Sequence, residues 1–375
     1  MEIKDFVPLL STAKMVKEKR TKELYNAETQ KDYQRKVLGK LPDRGHLLYL
    51  YPPIVAWLLQ PLANFEITTA YKLFTALNIL ALATCLLLLK KLLKLNYHFL
   101  VAILFFPSIL YTITTGQLSF FLLLIFTAVM VLINRKQNFW AGFLLGTLLI
   151  KPQYLISFPL IILIVENKKP FLKGFVLTTV LITLLNLCIY GKTLYNDYNY
   201  FLSHRTVNLK QLEQKKGFNI FSGRDILNTL TKNGLYTELA LIILLVVLYL
   251  TALANLHKRT LSSGFSNILF SSVILFTLTI NFHTKAPDLA LLIIPICVLY
   301  NSHRKKGSDA STRDAGNRYD VIKKTKISLA LILALILFVS PAAGAIEANP
   351  SATLLLLATG FALLNCFQEQ QIRSA

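Results

Sequence analysis

The chain has 375 residues, 54% of them hydrophobic, with a mean hydropathy of +0.53 and a formal net charge of +21. A water-soluble protein of this length would be less apolar, and its recurring uncharged runs are each long enough, at about 20 residues, to cross the ~30 Å hydrocarbon core as a helix. A soluble globular enzyme is excluded, and the basic charge is read as loops that orient membrane spans, so membrane lipids rather than nucleic acid are the expected surroundings.

In chain order, residues 1–46 are polar, with eleven Lys/Arg and seven Asp/Glu. Met1 opens onto charge without the basic and apolar regions of a signal peptide. Residues 49–65 are apolar but short and proline-rich, which fits an interfacial or re-entrant piece. A first span is expected over 69–89, closed by the basic "KKLLK". Residues 97–133 hold no Lys, Arg, Asp or Glu, too long a run for one helix and right for two, with the turn at Thr114-Thr115-Gly116-Gln117. Residues 139–165 carry Lys151 at their centre and basic sequence at both ends, "NRKQN" and "ENKKPFLK". Further spans are expected at 174–190, 236–256, 264–281, 287–300, 327–346 and 352–368. Polar loops interrupt them at 191–235 and 301–326.

The positive-inside rule puts the basic loops, "HKR" at 257–259 and the 301–326 connector in the cytoplasm. Residues 139–165 must then enter and return, as a hairpin of two half-helices with Lys151-Pro152 at its tip. Pro152 suits the start of the second half, where a missing N–H costs little. The reading is an all-α polytopic membrane protein of about nine full spans plus this hairpin. Its core is 1–300, including a first outer loop and re-entrant segment at 5–65, followed by the cytoplasmic loop 301–326 and C-terminal helices and tail at 327–375. Lys151 and Gln117 then lie near one outer face. An ionisable residue at a helix break in a membrane is a functional candidate, against the plainer reading of a lysine snorkelling from a span end. Cys85, Cys188, Cys297 and Cys366 sit in apolar runs and read as packing residues. Neither they nor His46, His98, His204, His257 and His303 show metal-ligand spacing, so no metal or other cofactor is expected.

These residues carry a resemblance. Gly116-Gln117, an apolar span, a short basic loop and then "AGFLLGTLLIKPQ" resemble glycosyltransferase family 87, the polyprenol-phosphate-mannose-dependent α-mannosyltransferases of the GT-C class. "YLYPPIVAWLLQPLANFEITTAYKLFTALN" (49–78) is similar to a second family block, and "DFVPLLSTAKMVKEKRTKELYN" (5–26) to the first outer loop, which begins with Asp. "NFHTKAPDLALLIIPI" (281–296) is similar to the late block, where His and Asp-Leu precede a span. Two features depart from the family pattern: no span precedes the first-loop Asp, and Lys285-Ala286-Pro287 stands where histidines are usual. The first leaves an inactive truncated homologue as an alternative.

The resemblance implies a multi-pass enzyme of a bacterial-type plasma (inner) membrane. It would move a hexose, mannose by family, from a polyprenyl-phosphate donor to a lipid- or glycan-linked acceptor on the outer face. Such chemistry needs a carboxylate to take the acceptor's proton, cations or helix N-termini for the phosphate, and a single displacement that inverts the anomeric carbon. Asp5 matches the first-loop Asp and is the candidate base. Gln117, Lys151, Asp288, His283, Arg205 and Arg224 are candidate donor- or substrate-binding residues, expected to converge with Asp5 at one outer site. Lys151, Arg205 and Arg224 are the candidate phosphate ligands. The competing class is a transporter or flippase of lipid-linked substrates, which also uses broken helices and midplane charge.

Overall fold

The computed structural model describes residues 5–39, 47–216, 249, 263–281 and 285–309. Among them every regular element is helical and there is no strand. The expected spans at 236–256 (Tyr249 apart), 327–346 and 352–368 lie outside the described residues, as do 217–235 and 310–326 of the two polar stretches.

Helices α1 (Phe6–Lys17), α2 (Ala27–Leu38) and α3 (Pro53–Leu58) form a cap over one end of the helix bundle. α1 corrects the reading of 1–46 as uniformly polar, because ten of its twelve residues are buried. Its charges stand only at its C-terminal end, at Lys14 and Lys17. The apolar start packs Phe6 against Tyr71 and Phe74, with ring centroids 5.6 and 5.0 Å apart. α2 is amphipathic. Asn26 caps it by accepting from the Thr29 N–H at 3.0 Å, and Gly39 ends it at φ 77°. On its inner side, Gln30 donates to the Leu24 carbonyl at 2.7 Å and accepts from the Tyr49 N–H at 2.8 Å.

α4 (Ile67–Leu93), 27 residues long, is apolar enough to cross a membrane. α5 (Tyr97–Leu104) and α6 (Pro107–Thr115) are long and apolar enough to span only when taken together, and they bend by 51° at their junction. Pro107 supplies the cause, because it cannot donate into the preceding turn. α6 ends at Gly116, and α7 (Ser119–Asn134) runs back, so the charge-free run does make two passes around Gly116-Gln117.

Three contacts gather one end of the bundle: Asn96 donates to the Tyr300 hydroxyl at 2.8 Å, Asn134 to Asn267 at 2.7 Å, and Lys136 meets Glu166 at 3.5 Å. The Lys136–Glu166 pair matters for direction. It brings together the two flanks of 139–165, so the chain between them goes in and comes back. α8 (Asn138–Gly146), the 3-10 turns Thr147–Ile150 and Pro152–Ser157, and α9 (Phe158–Ile164) make up that excursion. Lys151, at φ −141° and ψ 75°, is its non-helical residue.

α10 (Lys168–Lys216) confirms the direction. A Cβ on Gly142 would lie 1.9 Å from the Phe171 carbonyl oxygen, one on Gly174 2.0 Å from that of Phe139, and one on Gly146 2.7 Å from Thr178. The Lys136–Glu166 pair sets the starts of the two helices side by side and the Gly146–Thr178 contact lies farther along both, so α8 and α10 run parallel and nearly in backbone contact. Gly142 and Gly146 are four apart on one face, the small-residue spacing that lets membrane helices approach closely. The first part of α10, Lys168–Lys192, is again long and apolar enough to span. It then meets the cap: Asn186 accepts from the Ile54 N–H and the Tyr190 hydroxyl donates to the Pro53 carbonyl, both at 2.9 Å.

The stretch expected to begin a loop at 191 is instead helical to Lys216. Only Gly191 breaks it, at φ 75° and ψ 169°, a conformation open essentially to glycine alone. α11 (Ser263–Ile280) and α12 (Ile293–Asp309) are the last helices among the described residues, with a 3-10 turn, Ala286–Leu292, leading into α12. That turn lies at the cap end, where Ser108 of α6 donates to the Ala286 carbonyl at 2.8 Å.

Candidate active site

Three chain breaks converge beneath the cap, and each is set by local sequence. The first is Gly116. It ends α6 in the left-handed region, at φ 71°, and a Cβ there would lie 2.6 Å from the Cβ of Phe6. Only glycine lets α1 dock so closely. The docking is sealed by the Asp5 N–H, which donates to the Thr115 carbonyl at 3.1 Å. Asp5 therefore lies over Gln117, whose side-chain amide donates to Asp5 Oδ2 at 2.6 Å.

The second break is Lys151. The residue before a proline is pushed out of the helical region, and Pro152 does this to Lys151 at the tip of the excursion. The Lys151 Nζ reaches Asp288 Oδ1 at 2.5 Å and lies 5.3 Å from the centre of the Tyr154 ring. The third break starts the Ala286–Leu292 turn. Asp288 accepts from the backbone N–H of Lys285 at 3.2 Å and from the Ser119 hydroxyl at 3.0 Å, three residues and one helix away respectively. The Lys285 ammonium extends the other way and lies 3.5 Å from Asp5 Oδ1.

Four charged groups thus alternate in sign, Asp5, Lys285, Asp288 and Lys151, and compensate one another. Their environments differ. The Asp288 side chain is 1% exposed and that of Lys151 7%. Asp288 already accepts three hydrogen bonds, which leaves it little capacity for a substrate proton. Asp5 and Lys285 are 20% and 21% exposed, and they form the accessible half of the cluster. Tyr51 of the cap lies near both acids. Desolvation, and then the charges of Asp5 and Asp288, raise its hydroxyl pKa above the ordinary tyrosine value, so it remains a protonated donor.

Asp5, Gln117, Lys151 and Asp288 are therefore neighbours, although the sequence separates them widely. Lys151 contacts a carboxylate rather than facing open space. His283 and Arg224 lie outside the described residues. Arg205 is on the helix beyond Gly191, and its side chain lies outside them too. Sequence reasoning missed Ser119 and Lys285. Ser119 gave no signal beyond its place after Gln117. Lys285 was in view, but as a departure from the histidines usual at its position. No group of three or more His, Cys, Asp or Glu side chains that could hold a metal ion occurs among the described residues.

The family model for glycosyltransferase family 87 matches residues 49–281, well over half of the chain. The chain belongs to glycosyltransferase family 87. No curated protein and no solved structure matches it. Membership makes this chain a membrane glycosyltransferase, an enzyme that uses a sugar donor and an acceptor. Gln117, Ser119 and Lys151 fall inside the matched stretch of the glycosyltransferase, whereas Asp5, Lys285 and Asp288 flank it. The ion-pair cluster is thus where the two flanks of the matched region meet its centre.

Proposed function

We propose that this glycosyltransferase moves a hexose, mannose by family, from a polyprenyl-phosphate donor to a lipid- or glycan-linked acceptor, with Asp5 as the general base. One observation carries this reading: Asp5 is the accessible carboxylate of a cluster whose other acid, Asp288, is buried and saturated. Gln117 fixes the Asp5 carboxylate by donating to Oδ2, and the acceptor hydroxyl uses Oδ1, which the Lys285 ammonium faces at 3.5 Å in the free protein. Asp288 and Lys151 act as a buried brace that positions Lys285.

The site belongs on the outer face. Lys90, Lys91, Lys94, Arg135, Lys136, Lys168, Lys169 and Lys173 gather at the opposite end of the helices, which the positive-inside rule assigns to the cytoplasm. About nine spans in a plasma (inner) membrane complete the arrangement. The acceptor oxygen attacks the anomeric carbon as the carbon–phosphate oxygen bond breaks. The proton passes to Asp5, and the product has inverted configuration. The test is transfer from radiolabelled polyprenyl-phosphate mannose in membranes containing wild type or Asp5→Asn. Loss of transfer by Asp5→Asn, with unchanged expression and an α-linked wild-type product, is expected. Full activity of Asp5→Asn, or a β-linked product from the β-linked donor, sinks the reading.

A further inference from the structure

We propose that Lys285 is the residue that takes the donor's phosphate, and that its contact with Asp5 covers one oxygen of the base until the donor arrives. The proposal rests on the reading of Asp5 as base. Among the described residues two cations belong to the cluster around that carboxylate, and the structure separates them. Lys151 is held at 2.5 Å by Asp288 and is nearly sealed from solvent. Lys285 lies 3.5 Å from Asp5 and is about a fifth exposed, so its ammonium, unlike that of Lys151, is open to an incoming ligand.

Its backbone, by contrast, is fixed. The Lys285 N–H donates to Asp288 at 3.2 Å, and its carbonyl accepts from the Asp288 N–H at 2.9 Å. The result is a four-carbon arm on a rigid mount. The Lys151–Asp288 pair braces the mount, and the arm's tip is partly exposed beside the Asp5 carboxylate. Lysine on such an arm suits a phosphate as a mobile point charge.

The charge balance of the reaction gives the arm its task. A sugar phosphodiester carries one negative charge. When the acceptor oxygen forms its bond to the anomeric carbon, the departing bond's electron pair stays on the phosphate oxygen. The released polyprenyl monophosphate then carries a second negative charge, and the acceptor proton neutralises Asp5. A cation already on the phosphate stabilises that second charge as it develops, so it acts more strongly on the transition state than on the bound donor. Moving Lys285 from Asp5 to the phosphate also uncovers the Asp5 oxygen that the ammonium faces in the free protein. Donor binding and the uncovering of the base become one event, and an acceptor hydroxyl or water reaches that oxygen only when a donor is present.

The test uses full-length protein in nanodiscs, with radiolabelled farnesyl phosphate as probe and farnesol and inorganic phosphate as controls. Lys285→Met should weaken farnesyl phosphate binding at least about tenfold, and Lys285→Arg less than about threefold. Binding of farnesol should not change. Asp5→Asn should bind farnesyl phosphate more tightly than wild type, because the competing carboxylate is gone. In transfer assays, Lys285→Met should lower kcat by about 10²-fold or more, the loss typical of removing one group that stabilises developing negative charge. Melting temperatures check that the variants fold, and Lys285→Arg keeps the test informative if Lys285→Met does not. The proposal is overturned if Lys285→Met binds farnesyl phosphate like wild type. Weaker binding by Asp5→Asn, or inorganic phosphate binding as well as farnesyl phosphate, overturns it too. Should Asp5→Asn keep full transfer, the base assignment fails whatever the binding data show. Should it abolish transfer while Lys285→Met binds normally, only the present inference fails.

Discussion

Breaking the Lys151–Asp288 pair from one side should cost far more than removing it whole. The two charges are 2.5 Å apart, with side chains 7% and 1% exposed. Coulomb attraction at an effective dielectric of 20 is about 7 kcal/mol at that distance, and the desolvation of each ion opposes it by several kcal/mol, so the net is near zero. A single substitution removes the attraction but leaves one buried charge uncompensated, at about 3–5 kcal/mol. The two sides are not equal. In Lys151→Met, Asp288 keeps the Ser119 hydroxyl and the Lys285 N–H. In Asp288→Asn, the Lys151 ammonium keeps the Tyr154 ring at 5.3 Å as a described neighbour. Asp288→Asn should therefore be the more damaging, and Lys151→Met/Asp288→Asn should recover most of the loss. The assay is unfolding of detergent-solubilised protein, followed by helix content or by fluorescence-detected size exclusion, arranged as a double-mutant cycle. Single effects that add to within about 0.5 kcal/mol would refute the coupling and with it the bracing role given to the pair.

Gly116→Ala places a Cβ 2.6 Å from Phe6 at a φ of 71°, whereas Gly39→Ala has the same left-handed requirement at φ 77° with nothing within 4 Å. Both should lose about 1–2 kcal/mol of stability from backbone strain. Only Gly116→Ala should also lose transfer, by about 10²-fold for a shift near 1 Å in Asp5. Equal activities would show that the α1 docking does not set the base. Gly142→Leu forces α8 away from the Phe171 carbonyl and should destabilise by about 3 kcal/mol or more, seen as a lower melting temperature or loss of the monodisperse peak; a normal melt would contradict the parallel packing. Cysteines introduced at Lys136 and Asn64 in a cysteine-free background should label from opposite sides of the membrane, and labelling from one side would overturn the orientation.

The backbone breaks were readable because each demands a particular residue type. A left-handed helix end asks for Gly116, and a helix restart asks for Pro152, so both stood out against apolar sequence. Lys151 stood out for the same reason, as one charge in 27 residues of 139–165. What Lys151 binds was not readable, since its partner lies 137 residues away. The burial of α1 was hidden likewise: Phe6 is covered by Tyr71 and Phe74 from α4, and a segment whose average is polar can still bury one apolar end. The helix to Lys216 was misread as a loop because its polarity matches a loop's, while the one residue that breaks it, Gly191, affects a single position. Lys285 was passed over because a comparison with a family pattern registers what is missing more readily than what has taken its place.

The long separation within the Lys151–Asp288 pair also bears on how the protein is made. At about 5–20 residues per second, Lys151 emerges roughly 7–27 s before its counter-ion exists. Through that interval it sits at the tip of a hairpin whose two arms, Asn138–Ile150 and Pro152–Ile164, are each about 20 Å long and cannot cross the bilayer alone. An unpaired lysine at the centre of a span costs about 2.5–3.5 kcal/mol to insert. Until Asp288 is made, the hairpin lacks the carboxylate that holds its tip in the finished fold, whereas its glycine contacts to α10 need only the sequence that directly follows. Biogenesis, rather than the finished fold, is where a substitution at Asp288 would first be felt, as slower maturation and greater exposure to membrane proteases during synthesis.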